Sequence, residues 1–288
     1  MAEKDITEKI LESYNDVFAD IVNGLLFQGR LVIAPDELQE QAPRAAYKAD
    51  GKIREIERDV AKRWVKGGIR IACVGLENQT KEDPFMPLRV IGYDGAEYRV
   101  QLNTGSDPLY AALTLVLYFG TEKRWTAPRS LYEAIDIPEE FKPFVQDYRI
   151  NLFEIAYLTP EQVALFKSDF RIVADYFVQK RMSGDYKPKP ERMEHVQAVL
   201  QLLSVMTKDR RFEEVLIDSE EGEIQTMCEV LDKIEARGAA RAVAEVNERV
   251  ATDMLKEGMS LSVIEKISKL TETEIRAIAQ KIGVAVVE

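Results

Sequence analysis

Two acidic residues and one amide have the residue types and spacing that best suit catalysis. Asp59 lies in the run RDVAKRW, and Glu77 and Gln79 lie in GLENQT. Alternate residues of a strand share a face, so Glu77 and Gln79 are expected to point in the same direction. A hairpin that turns at Gly68 pairs Glu77 directly with Asp59. This register predicts two carboxylates about 5 Å apart at their β-carbons.

Two carboxylates in this arrangement require either that one of them is protonated or that a cation lies between them. Like charges roughly 4 Å apart repel by about 4 kcal/mol at an effective dielectric of about 20, and a divalent ion converts that repulsion into coordination. Such an ion activates a water and stabilises the charge that builds up on a phosphodiester. Gln79 would offer its carbonyl to the ion or orient the water, and Asp16 or Asp20 would complete the shell. The alternative is that both hairpin acids lie exposed at opposite edges.

Composition excludes several other kinds of site. The chain has one histidine and two cysteines, Cys73 and Cys228, which form neither a disulfide framework nor a zinc site. His195 lies in ERMEHVQAV with no nucleophile motif beside it, so we interpret it as a surface residue. Carboxylates remain as the candidate ligands, which favours Mg²⁺, with Mn²⁺ as a substitute.

Charge is distributed unevenly along the chain. The net charge is −11, yet residues 44–70 carry nine basic and four acidic side chains. This local excess makes Arg58, Lys62, Arg63 and Lys66 candidate nucleic-acid contacts. A solvated charged hairpin explains the same charges equally well.

Periodicity places these residues on an α/β domain. The pattern predicts a helix over 5–27 that opens with a capping box at Asp5 and Glu8. RDVAKRW and IRIACVGLENQ form a hairpin through residues 66–68, and buried strands follow at 113–120 and 150–158. Pro160 opens helical sequence that continues to about Arg181. Residues 84–99 fit either a helix or a hairpin that turns at Asp94-Gly95.

The carboxy-terminal third is predicted to be helical. The Gly/Pro/Lys-rich linker 183–192 divides the chain into a domain at 1–185 and a helical region at 186–288. In that region a long helix spans 224–257, with an interruption at Gly238. Two short helices follow, with capping boxes at Ser262 with Glu265 and at Thr271 with Glu274. Such a pair suits packing, oligomerisation or a helix-turn-helix.

The motif residues also resemble a known family. Asp59, Glu77-Asn78-Gln79-Thr80, Met86-Pro87-Leu88-Arg89 and Tyr93 resemble the PD-(D/E)XK nuclease superfamily. Within it, the chain is similar to the Rpn family of recombination-promoting nucleases, also described as putative transposases. The segments that carry the likeness are YNDVFADIVNGLLF (14–27), ERDVAKRW (57–64), GLENQT (75–80), MPLRVIGYDGAEYR (86–99), LTLVLYFG (113–120) and INLFEIAYL (150–158). The similarity covers roughly residues 10–185.

The resemblance implies a restriction-endonuclease-like core, in which helices flank a mixed β-sheet, with a helical carboxy-terminal extension. Asp59 matches the family's metal-binding aspartate and Glu77 its second metal ligand. Gln79 stands at the position of the superfamily's usual lysine. Glutamine carries no charge, so another group must supply the positive charge that lysine provides in the superfamily. Arg89 is a candidate for this charge if residues 84–99 form a helix. We expect the helix because the family core requires it.

The implied function is Mg²⁺-dependent endonuclease hydrolysis of DNA, linked to recombination, mobile elements or defence against foreign DNA. The alternative is a nuclease fold kept as a binding module with weak or no catalysis. We expect DNA as a partner and a homo-oligomer formed through the helical region. The amino-terminal run MAEKDITEKILE resembles no signal peptide and the apolar runs are strand-length, so we expect a cytoplasmic protein that does not cross a membrane.

Overall fold

The computed structural model describes residues 11–40, 44–49, 52–57, 60–76, 82–105, 108–217, 219 and 222–287. The strands are β1 (Leu38–Glu40), β2 (Arg44–Ala49), β3 (Lys52–Glu57), β4 (Val60–Trp64), β5 (Ile69–Leu76), β6 (Ala111–Tyr118) and β7 (Asn151–Glu154). The helices are α1 (Asn15–Phe27), α2 (Met86–Thr104), α3 (Leu131–Ala134), α4 (Pro160–Val163), α5 (Phe170–Ser183), α6 (Val196–Thr207), α7 (Arg211–Ile217), α8 (Met227–Lys256), α9 (Leu261–Ser268) and α10 (Glu272–Ile282).

Within the described residues, the main sheet has five strands in the order β1-β4-β5-β6-β7. The pairs of β4 with β1 and with β5 are antiparallel, whereas β6 lies parallel to β5 and to β7. Parallel neighbours require a crossover, and α2 lies in the connection from β5 to β6. β2 and β3 form a separate antiparallel pair. The α/β class, with helices that flank a mixed sheet, is therefore confirmed.

The β4–β5 hairpin is confirmed, but its predicted register is wrong. Trp64 pairs with Ile69 and Val60 with Cys73, so the turn is centred between Lys66 and Gly67 rather than on Gly68. Gly67 lies against the Trp64 ring, where an added Cβ would come 2.0 Å from a ring carbon. Gly68 adopts a φ of +59°, which glycine tolerates best. Together these two glycines permit the four-residue loop that shifts the register.

Residues 86–104 form the helix α2, so the hairpin alternative at Asp94-Gly95 is wrong. Pro87 suits the first turn of a helix, and Gly105 ends α2 with a φ of +67°. Asp94 is 4% exposed and accepts a hydrogen bond from the Thr114 hydroxyl of β6 at 2.7 Å. This tertiary contact overrides the turn preference of the Asp-Gly pair.

Helices cover both faces of the sheet. α2 contributes Met86 and Val90 to a cluster with Val116 and Tyr118 of β6. On the other face Phe119, directly after β6, packs its ring on Phe170 and Phe177 of α5. α1 contacts α5 at the same side. The predicted strand 150–158 is confirmed only to Glu154, because residues 155–157 turn into a 3-10 helix that packs on α5.

The chain divides into two compact units at Met227, later than the linker at 183–192. The linker and the residues that follow it belong to the first unit, since Tyr186 of the linker and Phe212 beyond it both pack on the Tyr176 ring of α5. The predicted domains 1–185 and 186–288 therefore differ from the units that the contacts define.

In the second unit, the end of α8 packs with α9 and α10 around a core that includes Leu255, Ile264 and Ile275. α8 runs without a break through Gly238, contrary to the predicted interruption. Thr271 and Glu274 form the predicted capping box, but α9 begins at Leu261, so Ser262 lies inside the helix. Oligomerisation and a helix-turn-helix role stay predictions for this region.

In the described part of the chain, no helix combines the length and apolarity needed to span a membrane.

A pair of glycine substitutions tests the packing of α1. An alanine Cβ at Gly24 would lie 2.3 Å from the buried ring of Phe166, whereas one at Gly92 of α2 meets nothing within 4 Å. We expect Gly24→Ala to lower the free energy of unfolding by about 1–3 kcal/mol. Gly92→Ala should raise it by about 0.5–1 kcal/mol through helix propensity. Urea unfolding followed by circular dichroism measures both, and an equal effect of the two variants would contradict this packing.

Candidate active-site edge and the Asp16 cluster

The parallel strands end together at one edge of the main sheet. Leu76 of β5 pairs with Tyr118 of β6, which pairs with Glu154 of β7. We call the ends of these three strands, with the loop 119–127 that follows β6, the carboxyl edge. Antiparallel β4 begins at this same edge with Val60. Ligands of open α/β sheets bind at the carboxyl ends of parallel strands, so this edge is the candidate active site.

The predicted catalytic residues flank the carboxyl edge in the sequence. Asp59 directly precedes Val60 of β4, and Glu77 directly follows Leu76 of β5. Asp59, Glu77, Gln79 and Arg58 themselves lie outside the described residues, as do Asp5 and Glu8. Their mutual distances stay predictions, and the argument for direct opposition of Asp59 and Glu77 fails with the register on which it was built.

The two helix acids have different surroundings. Oδ2 of Asp20 accepts three hydrogen bonds at 2.7 Å, from the backbone N–H groups of Lys167 and Ser168 and from the Ser168 hydroxyl. This carboxylate thus fixes the chain that leads into α5. Oδ2 of Asp16, in the first turn of α1, lies 3.0 Å from Nε2 of His195.

His195 is not the surface residue that its polar neighbours predict. Its side chain is 18% exposed, and its ring stacks on Tyr14 with centroids 3.8 Å apart and planes 21° apart. Asp16 and His195 are 179 residues apart in the sequence, so no local pattern indicates that they meet.

Lys62 is buried, with 1% of its surface exposed, which removes it from the predicted nucleic-acid contacts. Its ammonium donates to the carbonyl of Ser13 at 2.6 Å and to Oδ1 of Asn15 at 2.7 Å. Burial lowers the pKa of Lys62, although the nearby carboxylates of Glu40 and Asp16 oppose the change. Lys62 therefore anchors the start of α1 to β4.

The other described cations predicted to contact nucleic acid each have an intramolecular partner. Arg63 lies over the Tyr110 ring, with its guanidinium carbon 4.7 Å from the ring centre. Lys66 is 73% exposed and pairs with Glu37 at 3.0 Å. The predicted position of Arg89 on a helix is confirmed. Arg89 bonds to Asp83 at 2.9 Å and to the Tyr93 hydroxyl at 2.8 and 3.1 Å, within the first turns of α2.

The carboxyl edge carries cations that the sequence prediction missed. Arg124 and Arg129 reach Glu154 at 3.2 and 3.4 Å. The guanidiniums of Arg124 and Arg181 each lie over the ring of Tyr157, at 4.6 and 4.8 Å from its centre. Lys123, half-exposed beside them, pairs with Glu82 at 2.6 Å. The run TEKRW, directly after the buried strand LTLVLYFG, was the signal that could have revealed Lys123 and Arg124.

Glu82 holds the loop of the carboxyl edge in place. Besides Lys123, it accepts hydrogen bonds from the backbone N–H groups of Thr126 and Ala127 and from the Thr126 hydroxyl. Burial disfavours its charge, but the bonds from Lys123, Thr126 and Ala127 outweigh that cost and lower the pKa of Glu82 to about 2.

Residues 71–212 match the protein-family model described as "Putative transposase, YhgA-like". This part, just under half of the chain, is similar to the YhgA-like family. The match confirms the resemblance drawn from the motif residues, because the YhgA-like proteins are the Rpn group of PD-(D/E)XK-like putative transposases. The matched region runs from β5 through the carboxyl edge to α7. No curated protein and no solved structure matches the chain.

Glu82→Gln tests the anchoring of the loop. A lowered carboxyl pKa stabilises the folded state above the unfolded value near 4.5, and this contribution disappears as the pH falls toward 2. We expect the variant to lose about 1–2 kcal/mol at pH 7, since solvent screens part of the interaction, with the difference from wild type narrowing below about pH 4.5. Urea unfolding between pH 3 and 7 measures it. Glu139→Gln is the control, because its exposed pair with Lys142 contributes less than about 1 kcal/mol. A difference in the free energy of unfolding between wild type and Glu82→Gln that does not change with pH would contradict the role given to Glu82.

Proposed function

We propose that this YhgA-like protein is a Mg²⁺-dependent DNA endonuclease, with Asp59 and Glu77 as metal ligands and Gln79 as the residue that orients the attacking water. The observation that carries the proposal is the composition of the carboxyl edge. β5 ends there and leads directly into Glu77, and the neighbouring loop displays Lys123 and Arg124. Similarity to a family described as transposases supports DNA as the substrate.

The donor set fits the ion. Two carboxylates and an amide carbonyl are oxygen ligands, which Mg²⁺ prefers, and Mn²⁺ would bind the same set. When bound, the ion supplies an activated water and charge stabilisation at the phosphodiester. Asp59 and Glu77 would fix its position, and Gln79 would align the water for in-line attack. Neither helix acid enters this proposal, and whether Asp16 or Asp20 joins the shell stays a prediction that anomalous scattering from Mn²⁺ would decide.

Basic side chains of the carboxyl edge would supply the positive charge that Gln79 lacks. Lys123, Arg124, Arg129 and Arg181 outnumber their partners Glu82 and Glu154. A guanidinium beside a carboxylate can exchange that partner for a phosphate, which accepts the same paired hydrogen bonds. These residues would hold the DNA backbone while the hairpin residues act on the scissile phosphate.

The second candidate function is a nuclease fold that binds DNA or a protein without cleaving. Two observations favour it: Gln79 stands where the superfamily has lysine, and the net charge of the chain is −11. Metal binding separates the two candidates, because a binding module does not need an ion held by Glu77.

Asp59→Ala and Glu77→Ala test the nuclease directly. Wild-type protein with Mg²⁺ should nick or linearise supercoiled plasmid, and each variant should cleave at least about 100-fold more slowly because the ion loses a ligand. Asp36→Asn is the matched control, since Asp36 is an exposed acid in the turn before β1. Gel electrophoresis of a time course gives the rates.

Equal inactivity of wild type and variants would contradict the endonuclease. In that case calorimetric titration of wild type and Glu77→Ala with Mg²⁺ decides further. Heat that does not depend on Glu77 would leave the binding module as the function.

Arg124→Gln tests the role of the carboxyl edge in DNA binding. If Arg124 contacts one phosphate, the slope of log K against log salt should fall by about one, with weaker binding to every DNA sequence. Fluorescence anisotropy with labelled duplex across a salt series measures the slope. Arg30→Gln is the control, because Arg30 is exposed in the loop after α1. An unchanged slope in Arg124→Gln would remove this edge from the DNA interface.

A further inference from the structure

Three side chains from distant parts of the chain meet at the start of α1. Asp16, Glu194 and His195 can each direct one ligand atom to a common point, with those atoms within 4.8 Å of one another. Oδ2 of Asp16 and Nε2 of His195 are already 3.0 Å apart. Bonds of about 2.1 Å to one divalent ion place adjacent ligands about 3.0–3.4 Å from each other. The spacing of this pair therefore suits two ligands of the same ion.

Other contacts hold the backbone of Glu194 and His195, the His195 ring and the start of α1 in place. Asp169 is 5% exposed and accepts hydrogen bonds from the backbone N–H groups of both Glu194 and His195. The Tyr14 ring holds the imidazole plane by stacking on it. Buried Lys62 bonds to Asn15, the residue before Asp16. A ligand set held in this way needs little rearrangement when an ion binds.

The cluster also lacks a full cationic partner. In the part of the chain that the structure describes, neither Asp16 nor Glu194 forms an ion pair with a lysine or an arginine. The exposed Glu194 carboxylate has no hydrogen bond there either. Even with the buried ammonium of Lys62 near Asp16, the two carboxylates leave a net negative charge at the cluster, which a divalent ion would compensate.

We propose that Asp16, Glu194 and His195 bind one divalent transition-metal ion, for which Zn²⁺ is the probe. An imidazole nitrogen with two carboxylate oxygens favours Zn²⁺ or Mn²⁺ over Mg²⁺, which prefers oxygen ligands alone. The ligands of this site do not include Asp59 or Glu77, and the proposal stands independently of the proposed nuclease activity. The ion joins the first turn of α1 to the segment before α6, so it stabilises the folded state of the first unit.

The test uses full-length protein that is free of affinity tags and stripped of metal with a chelator. Calorimetry with Zn²⁺, done in the Asp59→Ala background to remove the other proposed site, should give one site, and binding should be at least tenfold weaker when His195→Ala or Asp16→Asn is added. Glu213→Gln is the control, because Glu213 is an exposed acid on α7. Equal affinity with and without His195→Ala and Asp16→Asn would overturn the proposal, as would binding that depends on Cys228 instead.

A spectroscopic measurement avoids reliance on variants that fail to fold. The chain has a single histidine, so imidazole nitrogen coupling in the electron spin echo of bound Mn²⁺ reports His195 alone. Wild type should show this coupling, and its absence would overturn the proposal. Asp59→Ala should lose plasmid cleavage but keep the nitrogen signal, whereas His195→Ala should lose the signal but keep cleavage. The metal site at His195 and the nuclease activity at Asp59 can therefore each be contradicted without affecting the other.

Discussion

A buried ammonium group is the constraint on which the first unit depends. Lys62 carries a charge to an interior position of the sheet, where burial lowers its pKa. That placement is tolerable because the chain around the start of α1 supplies oxygen acceptors, the Ser13 carbonyl and the Asn15 side chain. The same bonds that satisfy the lysine fix where α1 begins. Asp16 follows Asn15 directly, so the bonds that satisfy the Lys62 ammonium also help to position Asp16 beside His195.

Much of the fold could be predicted from periodicity, and the errors have physical causes. The α/β class, the hairpin and the central strand of LTLVLYFG follow from local patterns. α2 was ambiguous because its inward face carries Asp94, Glu97 and Gln101, which are buried against hydroxyl and backbone groups rather than apolar side chains. The hairpin register shifted because Gly67, and not only Gly68, is required at the turn, where it packs against Trp64. Neither effect is visible without the tertiary partner.

The candidate site was predictable in part. The motif residues led to a family that the match over residues 71–212 confirms, and the hairpin on which they were placed exists. Local charge density favours the basic hairpin over the carboxyl edge, but in that hairpin Lys62 is buried and Arg63 lies over the Tyr110 ring. His195 was misjudged because its environment comes from Tyr14 and Asp16, at the opposite end of the first unit's sequence. Long-range pairings of this kind are determined by topology and leave no trace in spacing.

The distance along the chain between Asp16 and His195 has a consequence for how the protein reaches its native state. During synthesis the Lys62 partner of Asn15 follows 47 residues later, but the His195 partner of Asp16 follows 179 residues later. Asp20 likewise waits for Ser168. Contacts of such high sequence separation form only after most of the loop-closure entropy has been overcome. The contacts of α1 with Ser168 and His195 therefore form later in folding than its contact with Lys62, so the two ends of the first unit's sequence are joined last.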